Sequence, residues 1–122
     1  MSFFTTHIRN NMMELLLYTR RNELIGSSRS FVGDKTATLA NLSVHNEFKC
    51  FGYGTHIIKE TERNLKSSFS IRSVNLLAWQ PSGGYEVIDF YKKNGYVTTD
   101  NRIEIFDDYS QLFDLTRMHK EF

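Results

Sequence analysis

Two glycines separated by one residue mark an abrupt change of pattern near the middle of the chain. Before them, TATLANLSV (Thr36–Val44) is rich in small and β-branched residues, which is typical of a β-strand. After them, residues recur at the spacing of one helical face: Ile57, Ile58, Thr61 and Leu65. Because glycine weakens regular structure, Gly52 and Gly54 predict a turn at the start of a helix, where the backbone approaches something closely.

The first half of the chain predicts three antiparallel strands followed by that helix. The strands lie at Met12–Thr19, Leu24–Val32 and Thr36–Val44, and we interpret them as a meander. The helix is predicted over residues 54 to about 68. Its other face is charged and is expected to be solvated: Lys59, Glu60, Glu62, Arg63 and Lys66.

The second half predicts a strand, a short helix and two further strands. SIRSVNLLAWQ at residues 70–80 is predicted to be a buried strand, which ends at the turn residues PSGG. In YEVIDFYKKNGY, Lys92 and Lys93 suit a helix C-terminus, and Gly95 is predicted as its left-handed cap. RIEIF and LFDLTRM predict the last strands. The sequence has no internal repeat or linker, so we expect one mixed α/β domain over residues 1–122.

Composition excludes several functional classes. With 122 residues, 40% of them hydrophobic, the chain can close a single core. A net charge of +1 gives no bulk reason to expect nucleic acid or an anionic membrane as partner. The single cysteine, Cys50, cannot form an intrachain disulfide, and the four histidines lack metal-ligand spacing. Without a signal peptide or apolar span, the sequence predicts a soluble cytosolic protein.

The glycine stretch has the pattern of a phosphate-binding turn. A strand, a loop carrying Lys49, a glycine pair and a helix would direct backbone amides and the positive end of the helix dipole at an anion. A tight strand-to-helix turn without a ligand explains the same residues. No GK[ST] follows, and the third glycine of the dinucleotide fingerprint is absent, so neither of those motifs applies.

Three segments in order resemble the signatures of the GNAT superfamily of N-acetyltransferases. LANLSVHNEFKCFGYGTHII resembles the acetyl-CoA signature, with Lys49, Gly52 and Gly54 at its Gln/Arg-x-x-Gly-x-Gly/Ala positions. VIDFYKKNGY resembles the FYxxxGF element, and the matching residues are Phe90, Tyr91, Gly95 and Tyr96. LTRMHKEF resembles the closing Met-x-Lys strand. The resemblance covers roughly residues 12–122.

The resemblance implies a fold and a cofactor. A mostly antiparallel sheet with helices on its faces would hold acetyl-CoA at a splayed strand pair. The strand before the glycines would line the pantetheine arm through Leu42, Ser43 and Val44. The pyrophosphate would lie on the amides of six consecutive residues, with Lys49 at the edge: Cys50, Phe51, Gly52, Tyr53, Gly54 and Thr55.

The resemblance also implies a reaction, in which an acceptor amine attacks the thioester directly in a ternary complex. Tyr91 would be the general acid that protonates the departing sulfur, while the alternative is a core aromatic beside Phe90. Family members often carry Glu or His on the cofactor strand, but residues 38–44 contain neither. His45 and Glu47, just beyond that strand, are weaker candidates for the general base, and solvent could also take the proton.

Several alternatives stay open from the sequence. The resemblance implies a primary amine as acceptor, either a small molecule or a protein lysine or N-terminus. Family members generally carry a first strand and two helices that wall the acceptor pocket, whereas only about eleven residues precede MMELLLYT here, so the resemblance implies an open acceptor side. The missing acidic residue on the cofactor strand leaves a catalytically silent module that binds CoA or a protein. A nucleotide-binding regulator is a further alternative. An exposed sheet edge is compatible with a homodimer.

Overall fold

The computed structural model describes residues 2–106 and 111–122, and these residues form seven β-strands and two α-helices. The mixed α/β class predicted from the sequence is therefore confirmed. The chain divides into two compact units, Met1–Arg72 and Ser73–Phe122. Neither described helix is long and apolar enough to cross a membrane.

The first unit is an antiparallel meander followed by a helix. Its strands are hydrogen-bonded in chain order: β1 (Ser2–Arg9), β2 (Met12–Thr19), β3 (Leu24–Val32) and β4 (Thr36–Val44). A short 3-10 turn at Asn46–Phe48 leads to the helix α1 (Tyr53–Phe69). The three strands and the helix predicted for this half of the chain are confirmed, and the helix is one residue longer at each end.

Strand β1 is the element that the sequence analysis missed. It pairs with all eight residues of β2, from Ser2 opposite Thr19 to Arg9 opposite Met12. The connection is a two-residue hairpin loop, in which Asn10 adopts a left-handed backbone conformation with φ 54°. Asparagine tolerates this conformation, and SFFTTHI is rich in aromatic and β-branched residues, so the signal for a hairpin was present.

The core of the first unit lies between α1 and one face of the sheet. Alternate residues of β2 are fully buried, because successive side chains of a strand point to opposite faces. Leu15 and Leu17 form a cluster with Ile25 of β3 and Ile57 of α1. A buried hydrogen bond between the Ser28 and Thr61 hydroxyl groups, 2.6 Å long, crosses the same interface. These contacts fix the position of α1, and therefore of its N-terminus.

The prediction that Glu62 lies on a solvated face of α1 is wrong. Glu62 is only 6% exposed. It follows Ile58 by four residues and precedes Leu65 by three, so it lies at the border of the apolar face and is covered along with it. A charge pattern read from sequence does not show where such a border falls.

The second unit contains three antiparallel strands and a helix. These are β5 (Ser73–Pro81), α2 (Glu86–Lys93), β6 (Val97–Phe106) and β7 (Gln111–Glu121), and the strands lie in the order β5, β7, β6. All four elements were predicted, although β5 begins three residues later than expected and β6 begins five residues before RIEIF. From Val74 onwards buried and exposed residues alternate along β5, as in the buried Val74, Leu76 and Ala78.

Candidate functional site

The end of β4 presents its residues to two different environments. Leu42 and Val44 are partly buried and pack against the core cluster of Leu15, Leu17, Ile25 and Ile57. Ser43 points to the opposite face, where its hydroxyl lies 3.4 Å from that of Ser27. Because the side chains of Leu42 and Val44 face the core, any ligand at this strand end would contact mainly its backbone.

The connection from β4 to α1 is anchored at both ends and exposed in the middle. His45 donates its backbone N–H to Ile25 at 2.8 Å, and Phe48 packs edge-to-face on Tyr53 with ring centroids 6.2 Å apart. Between these anchors Lys49, Cys50 and Phe51 are exposed, and Phe51 is 73% exposed although it is aromatic.

Two residues of this connection adopt left-handed backbone conformations. Gly52, the residue that caps the N-terminus of α1, has φ 81°, and Cys50 has φ 69°. A side chain added at Gly52 would meet no atom within 4 Å, so the conformation rather than lack of space requires glycine there. The predicted turn at Gly52 is thus present. The strained conformation of Cys50, a residue that does not favour it, was not predicted from sequence.

The first turn of α1 offers unpaired backbone donors. Its first helical hydrogen bond runs from the His56 N–H to the Gly52 carbonyl oxygen, 3.1 Å away. The amides of Tyr53, Gly54 and Thr55 come too early in the helix to reach a helical carbonyl oxygen, as is true of the first amides of any helix. The first turn carries no acidic residue, so the positive end of the helix dipole is not neutralised there. Geometry and charge together suit an anion.

Other residues considered from sequence lie in ordinary surroundings. His45 and Glu47, the weaker candidates for the general base, are both exposed. Trp79 on β5 is 56% exposed and contacts Phe113 at a ring centroid distance of 5.3 Å. Among the described residues, no group of three or more His, Cys, Asp or Glu side chains could hold a metal ion.

Tyr91, the predicted general acid, lies on α2 in the second unit. Its ring packs against Phe90 and Tyr96, with centroid distances of 5.2 and 5.7 Å. Burial raises the pKa of the Tyr91 phenol from its ordinary value near 10.0 to about 12, because the phenolate would lose hydration. The phenol is protonated at neutral pH, as an ordinary tyrosine is, and the shift delays its ionisation at alkaline pH.

The end of α2 fixes the backbone of Tyr91. Gly95 has φ 94° and confirms the predicted left-handed cap. Its N–H donates to the Lys92 carbonyl oxygen at 3.0 Å, and the Tyr96 N–H donates to the Tyr91 carbonyl oxygen at 3.0 Å. This pair of bonds is the Schellman arrangement, which satisfies the last carbonyls of a helix.

The raised pKa of Tyr91 predicts a distinct alkaline titration. Tyr91 should ionise near pH 12, later than an ordinary tyrosine, in an ultraviolet phenolate titration. In the unfolded chain this phenol ionises near pH 10. The stability gained from keeping it neutral is therefore complete below pH 10 and is lost as the pH rises towards 12. Tyr91→Phe should reduce the late component by one phenol, and an unchanged amplitude near pH 12 would contradict the assignment.

Comparisons with known proteins identify the fold. No protein-family model matches the sequence, and no curated protein matches it. Among solved structures, the chain is similar to a GNAT family acetyltransferase from Elizabethkingia anophelis with acetyl-CoA bound. The TM-score is 0.80 and the identity 15%, over 99% of this chain and 98% of that one.

Two longer proteins have similar structures. One is the spermidine/spermine N-acetyltransferase SpeG from Vibrio cholerae, with a TM-score of 0.77 and 15% identity over 92% of this chain and 66% of that one. Another is a Bacillus anthracis protein in complex with acetyl coenzyme A, with a TM-score of 0.76 and 15% identity, over 93% and 64%. The chain thus has the fold of the GNAT acetyltransferases, as its motifs predicted, and spans about two thirds of the length of these two proteins.

Proposed function

We propose that this protein is an N-acetyltransferase that moves the acetyl group of acetyl-CoA to a primary amine. The observation that carries the proposal is the left-handed Gly52 between β4 and α1, which leaves the first amides of the helix free to bind phosphate. Support comes from the GNAT fold and from neighbours of that fold that were solved with acetyl-CoA.

The proposed cofactor contacts are mostly backbone contacts. Leu42, Ser43 and Val44 would hold the pantetheine arm as an added strand is held, since two of their side chains already pack in the core. The pyrophosphate would bind the amides of residues 50–55. Lys49 is exposed beside them and would add a positive charge at the edge of the site.

The proposed reaction forms a C–N bond and breaks the C–S bond of the thioester. The neutral amine attacks the carbonyl carbon, the amine loses a proton, and the thiolate of CoA gains one. We assign to Tyr91 the role of donating a proton or hydrogen bond to the departing sulfur. The phenol is protonated throughout the neutral range, as an ordinary tyrosine is, and is therefore available as a donor.

We assign no side chain the role of a strong general base. Strand β4 carries neither Glu nor His, and His45 and Glu47 are exposed to water in the connection that follows it. Solvent can accept the proton when the pKa of the acceptor amine is moderate. The proposal therefore predicts amine acceptors of moderate basicity, such as a protein N-terminus, rather than strongly basic ones.

Calorimetric titration of acetyl-CoA tests the cofactor site. We expect the wild type to bind and Gly52→Asp to bind about 100-fold more weakly, because a carboxylate would lie a few ångströms from the phosphates. The space above Gly52 admits the side chain, so the effect should come from charge.

Gly52→Asn is the matched control for this titration. It has nearly the same shape and the same backbone demand without the charge, and we expect it to stay within about tenfold of the wild type. Equal loss in both variants would assign the effect to backbone strain. If a folded wild type shows no binding, the glycines form only a turn and the acetyltransferase proposal fails.

A second candidate function is a catalytically silent module that binds CoA or a protein partner. The absence of Glu and His from β4 favours it. The two candidates differ in the release of free CoA thiol during incubation with a panel of amines and peptides. Amine-dependent release supports the enzyme, whereas tight cofactor binding with no release for any amine supports the silent module.

A further inference from the structure

Strand β1 forms an open edge of the sheet in the first unit. Within the described part of the chain, β2 is the only strand paired with it. Proteins usually protect such edges with charged side chains, especially lysine, or with proline, a β-bulge or a very short strand. Strand β1 has eight residues, SFFTTHIR, its one Lys, Arg, Asp or Glu residue is Arg9 at its end, and its register with β2 is uninterrupted. An edge of this kind is a template for another strand.

Apolar side chains are also exposed along this edge. Ile8 is 55% exposed and Phe3 is 40% exposed, and they lie on opposite faces of the sheet because their positions differ in parity. Phe4, on the same face as Ile8, is partly buried against the core cluster and contacts the His56 ring at 4.8 Å. A partner strand would therefore cover apolar surface on both faces.

The hairpin determines which backbone groups point outwards. In a two-residue hairpin the flanking pair, here Arg9 and Met12, is the hydrogen-bonded pair. The N–H and C=O groups of Arg9 therefore point towards β2. The direction of these backbone groups alternates from residue to residue, so those of Phe4, Thr6 and Ile8 point to the open edge. These are the groups that an incoming strand would bind.

We propose that β1 pairs antiparallel with β1 of a second copy of this chain, about a two-fold axis through Thr6. In this register Phe4 lies opposite Ile8 of the second copy, and these residues share the face that carries α1. On the other face, Phe3 lies opposite the Arg9 guanidinium of the second copy, which suits a cation–π contact. Because the axis is two-fold, each of these pairs occurs twice in the dimer.

The two neighbouring registers are less complementary. If the axis passed through Thr5, Ile8 would lie opposite Ser2, and if it passed through His7, Ile8 would lie opposite Thr6, so the apolar pair would be lost in both registers. Cross-strand pairs between apolar or aromatic side chains are what stabilise one register over another. Self-complementarity about Thr6 is the reason to assign the edge to a second copy rather than to an unrelated strand.

Sedimentation velocity of the full chain tests the proposal. We expect a concentration-dependent dimer, and we expect Ile8→Lys to weaken dimerisation at least about tenfold, because each dimer loses two apolar pairs and gains two charges at the edge. Phe31→Lys is the matched control. Phe31 is a 43% exposed apolar residue on the interior strand β3, and its replacement should leave dimerisation unchanged.

Cross-linking tests the register. Residues at the centre of a hydrogen-bonded antiparallel pair have Cα atoms about 5.5 Å apart, within reach of a disulfide. In a Cys50→Ser background, Thr6→Cys should form a disulfide-linked dimer under mild oxidation. Thr38→Cys, at an exposed threonine of β4, should not. A wild type that stays monomeric at roughly 100 µM, a dimer that Ile8→Lys does not weaken, or equal cross-linking of both cysteine variants would each overturn the proposal.

Discussion

Tyr91→Phe should lower the kcat of acetyl transfer about 100-fold or more while acetyl-CoA affinity changes little. A positioned general acid contributes about 100- to 10,000-fold, and this change removes only the donating hydroxyl. The aromatic packing with Phe90 and Tyr96 is kept, because phenylalanine fills the same ring positions. Steady-state kinetics with the amine that the wild type uses best, together with calorimetric binding of acetyl-CoA, measure the two quantities separately.

Tyr85→Phe is the control for this prediction. It removes the same hydroxyl from a tyrosine that is 67% exposed and directly precedes α2, so we expect kcat to stay within about threefold of the wild type. If Tyr91→Phe is folded and equally active, Tyr91 is a packing residue. The assignment of Tyr91 as general acid would then be wrong, whereas the proposed cofactor site at Gly52 would not be affected.

Gly26→Ala should destabilise the protein by about 3 kcal/mol or prevent folding. A Cβ atom at Gly26 would lie 2.3 Å from the Ser43 carbonyl oxygen and 2.8 Å from the Ile57 Cδ1 atom. The first of these is backbone of the neighbouring strand and cannot move without breaking the register, so the strain exceeds that of an ordinary overpacked core. Urea unfolding followed by circular dichroism gives the change in the free energy of unfolding.

Ser27→Ala is the control at the next residue of the same strand. Its side chain points to the opposite face and loses only a long hydrogen bond to Ser43, so we expect a cost below about 1 kcal/mol. A loss at Gly26 no larger than at Ser27 would mean that β3 and β4 separate readily. The tight contact between α1 and the sheet would then not be rigid.

The parts of the fold that could be predicted are those determined by residues close together in the sequence. Strands β2 to β4 and both helices follow from periodicity and turn residues, which a few neighbouring residues determine. The need for glycine at position 26 could not be predicted in this way. It arises because Gly26 pairs with Val44 and lies under Ile57, two residues far away in sequence. Contacts of this kind exist only once the strands are in register.

The candidate site likewise has features that could be predicted from sequence and features that could not. The glycine turn before α1 could be located from sequence, because glycine has few reasons to interrupt two regular patterns. The left-handed conformation of Cys50 could not, since cysteine rarely adopts it and its local sequence gives no sign of it. The raised pKa of Tyr91 likewise depends on burial in the folded chain rather than on its neighbours in sequence.

The exposed position of Cys50 makes the turn before α1 chemically addressable. It is the one cysteine of the sequence, and its thiol is exposed. A thiol-reactive fluorophore would therefore label this turn alone, at one dye per chain, without any engineered mutation. The native protein thus carries its own attachment point for an optical reporter two residues from Gly52, where ligand binding could be followed directly.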